Sequence, residues 1–146
     1  MDAIEKYYPL VKKAIDNAIV DFNKGEKDPT AISVNLTGFC NTLFELCDND
    51  EGIEDVPVLQ KMAVYYAYLR NKDWPNDQRF RFLVAPNLAD KQYNAIIKEY
   101  DAIYNKLKKK TKSPPTYKEL DEAIKKHQKA KTAKELAKQE FDYFAH

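Results

Sequence analysis

Three glycines in 146 residues are too few for the tight turns that a sheet protein of this length needs. Two cysteines exclude a disulfide-stapled scaffold. Cys40 and Cys47 stand seven apart on one expected helix, about 10 Å along its axis, too far to bridge, and read as buried thiols of a reducing compartment. No run reaches the roughly 18 apolar residues of a membrane span, and MDAIEKYYPL has no basic stretch ahead of an apolar signal core. The expectation is a soluble protein, neither secreted nor membrane-bound.

Chemistry is as scarce as glycine. The two histidines, His127 and His146, have no Cys, Asp or Glu at metal-ligand spacing. There is no Walker loop, dinucleotide fingerprint, serine elbow or Cys-His pair with an orienting third group. Five acids in residues 48–55 invite comparison with a calcium loop, but the glycine falls one place early and position twelve is Leu59, so a solvated acidic turn is the better reading. The sequence predicts no enzyme, no cofactor and no metal.

What is present favours helices. With 44% hydrophobic and 32% charged residues, the chain can bury one core. The stretch DVPVLQKMAVYYAYLRNKDW, residues 55–74, has the densest apolar content, and Pro57 suits the first turn of a helix ending near Asn71. Its apolar surface exceeds one stripe, so it must be contacted on several sides. Flanking it, 10–24 is amphipathic and ends at Gly25, with Pro9 in its first turn and 3–8 as a preceding turn or kinked extension. A helix over 36–47 carries Leu36, Phe39, Cys40, Leu43, Phe44 and Cys47 after the loop GEKDPTAIS, and a helix over 88–110, capped by Asn87, repeats Tyr93, Ile96, Ile97, Tyr100, Ile103, Tyr104 and Leu107. Trp74 before Pro75 either locks a helix end or meets a partner, with packing favoured. QRFRFLV, residues 78–84, fits a short strand or a helical turn and a half.

TKSPPT then interrupts helix and marks a boundary between a core domain, 1–111, and an arm, 112–146. Capping boxes at Thr116 with Glu119 and at Thr132 with Glu135 predict two arm helices, 117–130 and 133–145. Their apolar content is thin, so the arm is expected to dock on something else. Residues 105–146 hold twelve Lys against six acids, a net of +6, leaving the rest at −5. Such bipolarity favours head-to-tail association or a basic end that meets phosphate or an acidic surface; the plainer reading is a solvated helix. The arm's opening helix resembles that of helix-turn-helix repressors, but no glycine turn or base-reading set follows. The fold class expected is all-α: a small helical bundle around a central apolar helix, with a two-helix basic arm.

In the central stretch, Val56, Pro57, the apolar helix through Tyr65, Tyr66 and Tyr68, and Arg70 with Asn71 follow an acidic loop. This passage resembles the middle helix of head-tail connector (adaptor) proteins of tailed bacteriophages, and the likeness extends loosely over 8–110. The two-helix basic arm and the tyrosine-rich seam of 88–110 depart from that pattern. The resemblance implies a non-catalytic structural protein: a homo-oligomeric ring subunit beneath a portal in the virion, its arm reaching another ring and its lumen passing DNA. Without a phage origin the expected location is the cytoplasm. Candidate partner contacts are Tyr65, Tyr66, Tyr68, Trp74, Tyr117, Leu120, Ile124, Leu136, Phe141 and Phe144. Candidate contacts to phosphate or an acidic surface are Lys108, Lys109, Lys110, Lys125, Lys126 and Lys129. The alternative is a small nucleic-acid-binding or host-factor-binding regulator acting through the basic arm.

Overall fold

The computed structural model describes residues 3–52, 55–75 and 84–144, without the side chains of 51, 52, 133 and 135–144. Five helices occur among these residues: α1 (Ala3–Lys24), α2 (Pro29–Cys47), α3 (Val56–Arg70), α4 (Asp90–Thr111) and α5 (Tyr117–Phe144). No strand occurs among them, in keeping with the all-α expectation. QRFRFLV lies outside the described residues except for Val84, which is buried.

Two compact units, Met1–Ile97 and Lys98–His146, divide the chain within α4. In the first unit α1 packs against both α2 and α3. Six consecutive residues of α3, Met62, Ala63, Val64, Tyr65, Tyr66 and Ala67, are all buried. Because six residues turn through more than a full circle, that part of the helix is covered on every side.

Two boundaries differ from expectation and a third is decided between its alternatives. α1 is one helix from Ala3 through Pro9, so 3–8 extends it and is not a separate turn. A mid-helix proline costs about 3 kcal/mol through its missing donor and its clash with the preceding turn. Burial of Ile4, Tyr7 and Tyr8, at about 1.5–3 kcal/mol for a large apolar side chain, is enough to offset it. α2 starts at Pro29 because Asp28 caps it, its carboxylate accepting from the Thr30 amide at 3.2 Å, and Pro29 occupies the first turn. α4 starts at Asp90 and not behind Asn87: the Gln92 side chain accepts from the Ala89 amide at 3.0 Å, one half of a capping box.

Helix ends follow local chemistry. Gly25 stops α1 in a left-handed conformation (φ 68°), its amide donating to Asp21 at 3.3 Å. The acidic run continues α2 as a π-helical turn, Asp48–Gly52, and is less free than a solvated loop: the Asp50 carboxylate accepts from Lys6 Nζ at 2.7 Å and from the Tyr7 hydroxyl at 3.2 Å. α4 closes on Lys112 at φ 59°, whose amide donates to Lys108 at 2.8 Å. The Thr116 hydroxyl accepts from the Glu119 amide at 3.2 Å and starts α5 as expected. The arm, however, is one helix and not two. Thr132 and Glu135 carry a capping signal, but nothing in KAKTAKEL forbids helical backbone, and its lysines and alanines favour it.

Candidate functional site

Among the described residues, one side-chain cluster in each unit joins ionisable groups to a tyrosine that burial has shifted. In the first, Asp16 of α1 faces the end of α3. Its carboxylate accepts from the Tyr66 hydroxyl at 2.7 Å and from Arg70 Nη1. Arg70 Nη1 also donates to the Tyr66 oxygen at 3.1 Å, and its Nε donates to Asp73 at 2.9 Å. Burial, then the Asp16 carboxylate, push the Tyr66 phenol above its ordinary range, against an opposing pull from Arg70. Burial works against the Arg70 charge, but Asp73, Tyr66 and Asp16 outweigh it and hold the guanidinium above its usual value. Donors and acceptors are matched, so the cluster is suited to fastening α1 to α3.

The second cluster joins α4 to α5. Glu99 Oε1 lies 3.0 Å from His127 Nε2 and accepts from Lys131 Nζ at 3.2 Å and from Gln128 Nε2 at 3.4 Å. Gln128 Nε2 donates to the Tyr100 hydroxyl at 2.9 Å. Burial first, then the Glu99 charge, raise the Tyr100 phenol. Buried Leu120, Asp121, Ile124 and Gln128 fall on one face of α5, the face that carries this clasp. No group of three or more His, Cys, Asp or Glu able to hold a metal occurs among the described residues.

The expected contact residues separate sharply. Tyr65, Tyr66 and Trp74 are buried within the first unit, as are Leu120 and Ile124 within the chain, so their surfaces are already used. Trp74 packs on Phe22 with ring centroids 5.5 Å apart, the helix-locking alternative. Tyr68 and Tyr117 are exposed, with Tyr68 stacked on Tyr65 at 5.8 Å. The side chains of Leu136, Phe141 and Phe144 lie outside the described set. Lys108, Lys109, Lys110, Lys126 and Lys129 are exposed and Lys125 half-buried. A shallow concavity on α4 is lined by Ala102, Asn105, Lys106, Lys108, Lys109 and Lys112.

The surface that sequence reasoning missed is the outward side of α2. Cys40, Leu43 and Cys47 point inward with Leu36, as expected, but Phe39 does not. Phe39 is 47% exposed, Val34 64% and Leu46 45%. Around them lie Ala31, Asn35, Gly38, Asn41 and Thr42, and Glu45 is the one charge in the helix's nineteen residues. The signal was available: a helix with one charge in a chain that is 32% charged. No helix among the described residues is long and apolar enough to cross a membrane. Comparison with family models, with curated proteins and with solved structures found no match.

Proposed function

We propose that this chain is a non-catalytic structural subunit that works by self-association and by docking on a second structural protein, in the manner of a phage head-tail connector ring. The observation that carries the reading is the outward face of α2, almost uncharged and with Val34, Phe39 and Leu46 exposed, on an otherwise highly charged molecule. A face of this kind loses little on desolvation and gains from burial of its apolar side chains. Tyr68 and Tyr117 add exposed aromatic contacts. In this proposal the helix beyond residue 128 reaches the second protein, a portal-like ring, and the assembly belongs to a virion.

The test is the mass of the full chain in solution over a range of concentrations, beside V34K/F39K. Oligomers that weaken in the double variant support the reading, and a strict monomer at high concentration removes it. A second reading, nucleic-acid binding, is favoured by the lysine-lined concavity of α4. Salt-sensitive retention of duplex DNA by a monomeric chain would put it first.

A further inference from the structure

The charges of this chain are sorted along the sequence more sharply than its net value suggests. From Asp28 to Gln60 there are seven acids and no Lys or Arg; from Ala102 to Lys118 there are six lysines and no acid. We propose that these two segments are the opposed halves of a head-to-tail contact: the lysine-lined concavity of α4 in one copy receives the acidic C-terminal end of α2 from a second copy.

Each half is electrostatically unfinished. Glu45 and Asp48 stand where α2 passes into the acidic π-helical turn Asp48–Gly52, and no basic residue occupies the last turn of α2. Both are exposed, and neither has an ion pair among the described residues, whereas neighbouring Asp50 is held by Lys6 and Tyr7. Carboxylates gathered there are relieved only by a cation from elsewhere. On the other side, Lys106, Lys108, Lys109 and Lys112 suit the dipole of α4 but crowd one another around the concavity. They too are exposed and without ion pairs among the described residues. A second copy supplies what each lacks. Because the two halves are different surfaces, the contact is heterologous: each copy offers one seat and one plug, and repetition generates a ring or a filament.

The inference rests on the self-association proposed above, and the test separates the two. The full chain is measured by sedimentation at 50 and 500 mM salt, alone, as K106E/K108E/K109E/K112E, as E45K/D48K, and as an equimolar mixture of these variants. E45K/D48K changes two exposed side chains for good helix formers, so its helix should fold as well as the parent's. The expected result is an association that is concentration-dependent at 50 mM and weakened about tenfold or more at 500 mM. Each variant alone should be monomeric. The mixture should associate again, because the lysine seat of one variant meets the acids of the other and the glutamate seat meets the new lysines. Association that survives in both variants overturns this contact and leaves the self-association reading in place. A chain monomeric under all conditions overturns both. Retention of duplex DNA by monomers, lost in the lysine variant and unchanged in E45K/D48K, overturns the contact and assigns the seat to phosphate.

Discussion

The Tyr66 hydroxyl donates to Asp16 across 2.7 Å, joining α3 to α1 over fifty residues of sequence. Both residues also share Arg70, so three side chains fasten the two helices at one point. Tyr66→Phe should lower stability by about 1 kcal/mol, the usual net worth of an intramolecular hydrogen bond. A double-mutant cycle with Asp16→Ala should show coupling of about 1 kcal/mol by urea unfolding, at unchanged m. Simple additivity of the two substitutions would mean that the contact holds nothing.

Trp74 closes the first unit beyond α3. Its ring is 3% exposed and lies against Phe22, and the Asn23 side chain donates to the Asp73 carbonyl at 3.3 Å beside it. Trp74→Ala should therefore cost about 3–5 kcal/mol, as for a large aromatic removed from a core. A change below about 1 kcal/mol in thermal or urea unfolding would show the ring to be dispensable to packing and would reopen its role as a surface contact.

Cys40 makes stability sensitive to alkaline pH. Burial pushes its thiol from the ordinary 9.0 up to about 12. The folded chain thus keeps the proton over a range in which the unfolded chain releases it. Stability from this group is intact below about pH 9 and lost as pH rises toward 12, by up to about 1.4 kcal/mol per pH unit. The raised phenols of Tyr66 and Tyr100 act with the same sign at higher pH. Cys40→Ala should flatten the slope between pH 9 and 10 relative to the parent, whatever it costs in packing, and an unchanged slope would refute the assignment.

Two backbone positions can be improved. Lys112 holds φ 59°, a conformation that costs a side-chain-bearing residue about 1 kcal/mol, so Lys112→Gly should raise stability by a similar amount. Gly38 is mid-helix, and a Cβ added there would meet nothing within 4 Å. Gly38→Ala should add about 0.5–1 kcal/mol to the thermal stability of the free chain. A loss at either site would contradict the geometry.

Much of the fold was legible because its signals are local. Spacing of apolar residues announced the helices, and Gly25, Pro57 and the Thr116 cap each act within a turn of their own position. The start of α2 is as local, an Asp28 cap and a first-turn Pro29, where GEKDPTAIS suggests a loop. Contact candidates were less readable. Tyr65, Tyr66 and Tyr68 stand within one turn of α3 with the same chemistry, yet only Tyr68 is exposed, and Phe39 follows the spacing of a core residue while lying half in solvent.

The sequence by itself determined the all-α class, the chemistry of most of the described helix ends, two inward cysteines and a sharp separation of charge. These depend on neighbours a few residues apart, which any folded context must respect. Only the tertiary structure decided that α1 continues through Pro9, that Tyr66 binds Asp16, that the compact units divide inside α4, and which aromatic side chains are covered. Those outcomes turn on burial and hydrogen bonds supplied by segments tens of residues away, whose combined free energy outweighs the local preference at each position.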